Sequence, residues 1–402
     1  MDYQSAIDWL FSQLANYQSQ GSIAYKPGLE NIEALLKGLD NPHTKLKAVH
    51  IAGTNGKGST AHAIAAMAIE NGYKVGLFTS PHIKDFRERI KINGLLLEET
   101  YVVDFVNQNQ ALFERIRPSF FEITTAMAFK AFADKKCELV VIETGLGGRL
   151  DASNVLNPIL SVITNIGIDH VQFLGDTRSK IAFEKAGIIK KNIPVCIGEM
   201  DEETAPVFIK KAKAENARIY RPKSLAFKTD LLGDFQQLNL NLAFSAIQVL
   251  IEKGWYFDAQ KNLNALNRIK KLTQFKGRLE QLQKDPIVLV DASHNAAGIE
   301  LLFQEIQQFD FNDLHCVFGS SNDKDFEKSV SLFPKDAHYY FCSFDSSRSL
   351  NATDFNLLGK KYKLNYKYYN TADVAYSAAL KCSKVGDLVL VFGSFFILEK
   401  II

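Results

Sequence analysis

The 402-residue chain lacks the features of secreted, membrane-spanning and polyanion-binding proteins. No apolar run approaches the ~20 residues that a membrane span needs. The N-terminal segment Met1–Gln4 begins neither a basic n-region nor an apolar h-region. The formal net charge of +2 gives no general attraction to nucleic acid or to an anionic membrane. We therefore expect a soluble, cytoplasmic protein without nucleic-acid or membrane partners.

Cysteine is scarce and scattered, and the sequence contains no internal repeat or long charge block. The five cysteines form no C-x-x-C pair, which is typical of buried, reduced thiols in a cytosolic protein. Hydrophobic content of 47% and charged content of 23% are ordinary for a globular chain. A chain of 402 residues is too long for one ordinary core, so its length predicts two domains.

The order of sequence patterns predicts an α/β protein. Residues 1–45 have an amphipathic helical pattern, interrupted by the turn signal Tyr25–Gly28. From residue 46 onward, apolar runs typical of buried strands alternate with helical patterns, which indicates parallel βαβ units. The strand pattern restarts after Gly277–Pro286. We predict a larger domain over residues 1–280 and a smaller α/β domain over residues 286–402.

The most informative stretch is a glycine-rich turn between a strand pattern and an alanine-rich helix pattern. This phosphate loop, Gly53–Ser59, reads Gly-Thr-Asn-Gly-Lys-Gly-Ser. Glycines let backbone N–H groups converge on a phosphate, the helix N-terminus adds partial positive charge, and Lys57 supplies a full charge. A hydroxyl of Ser59 or Thr60 suits the accompanying magnesium. Because Gly58 separates Lys57 from Ser59, the stretch is a variant of the common P-loop order.

Polar side chains follow predicted strands where ligands gather in open parallel sheets, beyond the carboxyl ends of the strands. Ser80, Glu143 and His170 occupy such positions. A carboxylate at the Glu143 position is a common way to hold nucleotide-bound magnesium. A capped surface glutamate is the alternative for Glu143, and a structural core histidine is the alternative for His170.

Lys185 falls on the apolar stripe of a predicted helix, four residues from both Ile181 and Ile189. An unpaired ammonium group in such a place is costly. Either the charged head reaches solvent along a buried stem, or another group compensates the charge. The sequence pattern alone favours the first interpretation.

The second predicted domain opens with polar groups at another strand-to-helix turn, Asp291–Asn295. This arrangement suggests a site, although Asp291 could instead cap the following helix. Arg278 precedes the boundary and could reach phosphate oxygens across a cleft, with an ordinary surface arginine as the alternative.

Several motifs together resemble one family, the bacterial bifunctional dihydrofolate synthase/folylpolyglutamate synthases, which belong with the Mur peptidoglycan ligases. The similarity spans nearly the whole chain, and its motifs stand in this order: Gly53–Ser59, Thr79–His82, Glu143–Ala152, Glu184–Ile188 and Asp291–Asn295. Ser293 and Ala296 depart from the alanine and proline usual in the last motif, and the match around Asn239 is looser. The resemblance implies a Mur-ligase-like P-loop domain with a mostly parallel sheet that binds ATP and the pterin over residues 1–280. It implies a smaller Rossmann-like glutamate ligase domain over residues 286–402.

The resemblance also implies residue roles. ATP would contact Thr54, Asn55, Gly56, Lys57, Gly58, Ser59, Asn239, Arg278 and Asp291. Two magnesium ions would be held through Ser80, Glu143 and His170. Lys185 would be carbamylated, and His294 would lie near the transferring phosphate or the incoming glutamate. The pterin substrate would contact Pro27, Gly28, Leu29, Phe121, Glu122, Leu150, Asp151 and Ala152.

The expected activity is ATP-driven addition of L-glutamate to dihydropteroate or to tetrahydrofolates through an acyl phosphate. Lys57, Lys185 and His294 are the predicted catalytic residues, and relatives suggest a monomer. One alternative is a Mur-type ligase acting on a UDP-sugar peptide, which the N-terminal segment around Pro27–Leu29 disfavours. The other is a nucleotide-dependent switch. The guanine-reading N-K-x-D pattern lacks its lysine at Asn165–Asp169.

Overall fold

The structure, a computed structural model, describes residues 1–20, 28–322 and 326–402, with the backbone alone for residues 13–20. These residues form two compact units. Unit 1 comprises Met1–Asp230 and Gln237–Gln274, and unit 2 comprises Leu231–Gln236 and Phe275–Ile402. Within the described ranges, no helix is both long enough and apolar enough to cross a membrane. The division of functions between residues 1–280 and 286–402 stays a prediction.

Unit 1 is built on an eight-stranded sheet in the order β4-β3-β2-β5-β1-β6-β7-β8. Its strands are parallel except for the two pairings of β3. The strands are β1 (Ala48–Ala52), β2 (Val75–Phe78), β3 (Ile90–Ile92), β4 (Leu95–Leu96), β5 (Leu139–Glu143), β6 (Leu160–Ile163), β7 (Val195–Ile197) and β8 (Ile219–Tyr220). Because β1 pairs with both β5 and β6, the residues that follow these three strands meet at one edge of the sheet.

Helices cover unit 1 on both sides of the predicted buried strands. They are α1 (Tyr3–Gln20), α2 (Glu30–Gly38), α3 (Lys57–Glu70), α4 (Glu99–Ile116), α5 (Phe120–Asp134), α6 (Val171–Leu174), α7 (Arg178–Ala186), α8 (Ala205–Ala214), α9 (Gln236–Glu252), α10 (Ala259–Leu266) and α11 (Ile269–Thr273). Helix α3 is buried along most of its length because its small alanines allow close approach to the sheet. It ends before Gly72, whose φ of 94° is a left-handed conformation that glycine adopts easily.

Unit 2 is a six-stranded sheet in the order β13-β12-β11-β14-β10-β9, parallel except for the edge strand β9. Its strands are β9 (Glu280–Lys284), β10 (Ile287–Val290), β11 (Leu314–Phe318), β12 (His338–Cys342), β13 (Asn365–Tyr369) and β14 (Leu388–Phe392). Its helices are α12 (Ala296–Ile306), α13 (Phe326–Ser331), α14 (Ala352–Lys361), α15 (Ala372–Cys382) and α16 (Phe395–Leu398). Leucine side chains and phenylalanine rings make up most of its core. The mostly parallel α/β architecture predicted from the sequence is confirmed in both units.

Candidate active site

The phosphate loop connects β1 to α3 through backbone that only glycine adopts easily. Gly56 has φ 79° and caps α3, which begins at Lys57. A Cβ atom at Gly56 would lie 2.2 Å from Asn239 Oδ1, and one at Gly53 would lie 1.7 Å from Thr164 Oγ1. The loop therefore requires glycine at both positions. The loop backbone approaches neighbouring segments of the protein closely. It leads into a helix N-terminus, which favours an anionic ligand.

The segment after β6 fixes the phosphate loop. Asn55 donates its backbone N–H to Asn165 Oδ1 at 2.9 Å, and Thr164 Oγ1 donates to the Asn55 carbonyl at 2.6 Å. Thr54 Oγ1 accepts the Gly167 N–H at 2.9 Å and donates to the Gly167 carbonyl at 3.1 Å. These contacts hold the first half of the loop in one shape. Thr164 and Gly167 carry no local sequence signal for this role, because the contacts join residues more than a hundred positions apart.

Lys57 lies back over the loop that precedes it. Its Nζ donates to the carbonyls of Gly53 and Thr54, each at 3.0 Å, and lies 4.0 Å from Glu143 Oε1. Glu143 is buried at the end of β5, and its Oε2 accepts the Ser80 N–H at 3.3 Å. The structure thus places a cation, a carboxylate and a hydroxyl-bearing residue beside the phosphate loop. A nucleotide phosphate with a bound metal ion needs this combination of charges.

The three predicted metal ligands come from three strand ends. Within the described parts of the chain, no group of three or more His, Cys, Asp and Glu side chains is arranged to hold a metal ion by itself. His170 caps α6 with φ 50°, and its Nε2 lies 3.8 Å from Asp169 Oδ2. The oxygen donors of Ser80 and Glu143 suit magnesium, which usually takes one or two protein carboxylates and completes its shell with phosphate and water. The magnesium site through these residues stays a prediction.

Lys185 lies inside the protein, not at its surface. The residue is only 4% exposed, and its Nζ donates to the Gly53 carbonyl at 2.8 Å. Lys57 and Lys185 therefore share one acceptor oxygen. Burial and the nearby Lys57 lower the pKa of Lys185 to about 7, while Asp169 and Asp151 act in the opposite direction. The prediction that its charged head reaches solvent was wrong, because α7 directs the side chain into the phosphate loop.

Asp151 organises the loop that follows β5. Its Oδ2 accepts the N–H groups of Gly145 and Leu146, each at 2.8 Å. Its Oδ1 accepts the N–H of Ser153 at 3.0 Å and the Ser153 hydroxyl at 2.5 Å. Burial raises the pKa of Asp151, although all of these donors favour its charged form. Both carboxylate oxygens thus accept hydrogen bonds from donors of the protein itself. Contact of Asp151 with a pterin stays a prediction.

The other predicted pterin residues lie around the same loop or on neighbouring helices. Phe121 lies against Gly145, where a Cβ atom would come within 2.5 Å of the ring. The Glu122 carboxylate accepts the Ser119 N–H at 2.6 Å in the capping box of α5. Ala152 is buried, Leu150 is half-buried, and Gly28 and Leu29 precede α2. Pro27 lies outside the described residues.

In unit 2, Asp291 holds the turn that carries Arg278. Asp291 Oδ2 accepts the N–H of Leu279 at 2.7 Å, and Oδ1 accepts the N–H of Ser293 at 2.7 Å and its hydroxyl at 2.5 Å. Leu279 has φ 41°, a left-handed conformation that is strained for leucine. The Arg278 guanidinium lies 5.0 Å from the centre of the Phe395 ring. Ser293, a departure from the family pattern, therefore adds a hydrogen bond to the turn.

His294 and Asn295 complete this turn. The Asn295 side chain accepts the Gly298 N–H at 2.9 Å, so Asn295, and not Asp291, caps α12. His294 Nδ1 lies 2.9 Å from the Ala292 carbonyl, which indicates a proton on Nδ1 and an acceptor at Nε2 when the ring is neutral. The roles of Arg278, Asp291 and His294 toward a nucleotide or glutamate stay predictions.

Comparison with known protein families first defines the class. The Mur ligase middle domain matches residues 51–224, and the glutamate ligase domain of Mur ligases matches residues 277–395. The fold and the phosphate loop are thus those of an ATP-dependent ligase of the Mur type, as predicted.

Individual relatives identify the family within this class of ligases. The chain is 36% identical to the dihydrofolate synthase/folylpolyglutamate synthase of Bacillus subtilis (strain 168), over 88% of this chain and 87% of the relative. It is similar to the structure of E. coli FolC in complex with DHPP and ADP, with 26% identity, a TM-score of 0.86, and coverage of 98% and 96% of the two chains. It is also similar to the bifunctional enzyme of Yersinia pestis CO92 complexed with AMPPNP and a Mn ion, with 25% identity, a TM-score of 0.83, and coverage of 98% and 97%. The chain belongs to the dihydrofolate synthase/folylpolyglutamate synthase family.

Proposed function

We propose that this protein couples ATP hydrolysis to the addition of L-glutamate onto the carboxyl group of dihydropteroate, of reduced folates, or of both. The observation that carries the proposal is the convergence of Lys57, Lys185 and Glu143 on a glycine-rich phosphate loop, in a chain of this family. Bound ADP and AMPPNP in the related structures support a nucleotide at this loop.

The reaction proceeds by activation of an acid. A substrate carboxylate oxygen attacks the γ-phosphorus of ATP, the bond to the β-phosphate oxygen breaks, and ADP leaves. The amine of glutamate then attacks the acyl carbon of the resulting acyl phosphate. The C–O bond to phosphate breaks, the nitrogen loses a proton, and inorganic phosphate leaves. Phosphoryl transfer asks a protein mainly for positioning and charge neutralisation, which the loop amides and Lys57 supply.

Ser80, Glu143 and His170 are the residues that would hold magnesium. When bound, magnesium neutralises charge on the β- and γ-phosphates. The Mn ion in the Yersinia pestis relative supports a divalent metal. The presence of two ions is part of the proposal. Glu143 accepts the Ser80 N–H, and this backbone donor orients the carboxylate.

Lys185 is the residue to which we assign carbamylation. A buried amine whose pKa is lowered to about 7 has a much larger neutral fraction near neutral pH than an ordinary lysine, and the neutral amine is the form that attacks carbon dioxide. The amine nitrogen forms a bond to the carbon of carbon dioxide, one C=O π bond opens, and the nitrogen releases one proton, so that the neutral amine becomes an anionic carbamate. The anion would lie beside Lys57, since both side chains reach the Gly53 carbonyl. The charge repulsion between the Lys57 ammonium group and a protonated Lys185 would become an attraction.

Turnover by the purified full-length protein tests this function. Phosphate release should require ATP, L-glutamate and either dihydropteroate or tetrahydrofolate, with labelled glutamate appearing in the pterin product. Incorporation with a UDP-sugar peptide acid in place of the pterin acid would instead identify a Mur-type peptide ligase. Phosphate release from ATP or GTP without glutamate would identify a nucleotide-dependent switch. The monomeric state and the cytoplasmic location stay predictions.

A further inference from the structure

Arg89 is a buried cation that the mechanism above does not use. It ends the 3-10 helix Phe86–Arg89 in unit 1 and is 9% exposed. Its guanidinium lies 5.2 Å from the centre of the Phe120 ring, and its Nε donates to His82 Nδ1 at 2.7 Å. In the described part of the chain, no Asp or Glu forms an ion pair with Arg89, and its terminal nitrogens make no hydrogen bond to a protein acceptor.

A buried guanidinium without a carboxylate partner is unusual, because arginine is rarely buried unless it is paired. Nearby Arg87 follows the ordinary pattern and contacts Asp85 at 2.7 Å and Glu99 at 3.2 Å. The Phe120 ring lies against one face of the Arg89 guanidinium and stabilises its charge by a cation–π contact. The N–H donors of arginine, however, lie in the guanidinium plane and point outward, so the ring does not satisfy them. Burial lowers the pKa of Arg89 to about 10, so the group remains charged at neutral pH.

His82 adds a second donor to the same place. Because Arg89 donates to His82 Nδ1, the neutral His82 ring carries its proton on Nε2. Aromatic rings surround the pair: Phe11 and Phe86 lie 5.9 Å and 6.3 Å from the His82 ring, and Phe120 lies 5.7 Å from Phe11. Positively polarised donors inside an aromatic wall suit an aromatic ring that bears a carboxylate.

The position of this cluster relates it to the phosphate loop. His82 is two residues beyond Ser80, whose N–H donates to Glu143, and the charge of Glu143 acts on Arg89. Arg89 is thus within electrostatic range of Glu143, the carboxylate that lies 4.0 Å from Lys57 Nζ.

We propose that Arg89 and His82 form a carboxylate-binding subsite, with Phe11, Phe86 and Phe120 as its aromatic wall. The inference rests on the proposed function, and it assigns the subsite to the carboxyl group attached nearest the aminobenzoyl ring of the substrate. In dihydropteroate this is the reacting carboxylate. In a folate it is the α-carboxylate of the first glutamate, which is not the carboxylate that reacts at the end of the chain. The planar guanidinium can bind such a carboxylate through paired N–H donors.

Binding of dihydropteroate and of its carboxamide analogue tests the subsite, because the two ligands differ only in the group that Arg89 is proposed to bind. The wild-type protein should prefer the acid by about 10- to 100-fold in Kd, the range for hydrogen bonds to charged groups. Arg89→Gln should abolish this preference while changing the Kd of the carboxamide by less than about threefold. Arg89→Lys should retain part of it. Arg87→Gln, which removes a neighbouring ion-paired arginine, should leave it unchanged.

His82→Phe provides a second test that preserves the aromatic wall and removes the Nε2 donor. This variant should reduce the acid preference several-fold, with a thermal unfolding midpoint close to that of the wild type. An Arg89→Gln variant or a His82→Phe variant that is folded and keeps the full acid preference would overturn the subsite. A purely packing role for Arg89 would weaken both ligands equally, which would also overturn it. Glutamate incorporation by the wild type is measured first: its absence contradicts the proposed function, whereas its presence with unchanged selectivity in the variants contradicts only the subsite.

Discussion

Replacing Lys185 with methionine should abolish activity and stabilise the fold at the same time. Lys185 is buried, and its pKa is lowered from 10.5 to about 7. Each pKa unit corresponds to about 1.4 kcal/mol, so the folded protein at pH 7 bears a penalty of about 4 kcal/mol relative to an amine with an ordinary pKa. Methionine fills a similar volume without charge, but it loses the hydrogen bond to Gly53, worth about 1 kcal/mol. We expect a net gain of about 3 kcal/mol.

The stability penalty of Lys185 depends on pH in a direction that follows from its lowered pKa. Between pH 7 and pH 10.5 the unfolded chain binds a proton at Lys185 that the folded chain does not, so the wild type gains stability as the pH rises through this window. The penalty is complete below pH 7 and disappears above pH 10.5. The advantage of Lys185→Met should therefore be about 2 kcal/mol smaller at pH 9 than at pH 7.

Chemical denaturation of the wild type and the variant in carbon-dioxide-free buffer at both pH values measures these differences. Lys180→Met is the matched control, because Lys180 belongs to the same helix, has 63% of its side chain exposed and pairs with Asp176. Its substitution should change the free energy of unfolding by less than about 1 kcal/mol. A Lys185→Met variant that is less stable than the wild type at pH 7, or that retains turnover, would refute the reasoning.

Two further substitutions probe the phosphate loop. Lys57→Ala should lower phosphate release by at least about 100-fold with the fold retained, as judged by circular dichroism, because the loop loses its full positive charge; turnover near the wild-type rate would contradict the assignment. Gly56→Ala should weaken ATP binding at least about tenfold by calorimetry, because its Cβ atom meets Asn239 at 2.2 Å in addition to the strain at φ 79°. Gly72→Ala at the opposite end of α3 has φ 94° but no atom within 4 Å, so it should cost only about 1 kcal/mol of stability and leave ATP affinity unchanged; equal losses of affinity in both variants would argue against the close approach.

Local sequence patterns were sufficient for the central strands and for the phosphate loop. Continuous apolar runs such as Leu139–Glu143 are strands buried on both faces, and the glycine spacing with Lys57 marks the start of α3. The edge strand Glu280–Lys284 was not predicted, because its mostly exposed polar residues have no apolar pattern. Only its pairing with β10 defines it as a strand. The short strands Ile90–Ile92 and Leu95–Leu96 are likewise defined by their pairing.

Contacts between distant residues account for the parts of the site that the sequence did not reveal. The helical pattern placed Lys185 on an apolar face, but it contained no information on whether the head group would meet solvent or the Gly53 carbonyl. Arg89 appears in the sequence as one of several charges in a polar stretch, and only the tertiary structure encloses it among aromatic rings. Asn239, the loosest match among the predicted nucleotide contacts, lies directly against Gly56.

Transfer of oxygen from the substrate acid to phosphate tests the central claim most directly. Dihydropteroate labelled with ¹⁸O in its carboxylate is converted with ATP and L-glutamate, and the inorganic phosphate is analysed by mass spectrometry. If the carboxylate attacks the γ-phosphate, one labelled oxygen passes into phosphate for each amide bond formed. Unlabelled phosphate accompanying labelled pterin product would contradict activation of the acid by ATP at the phosphate loop.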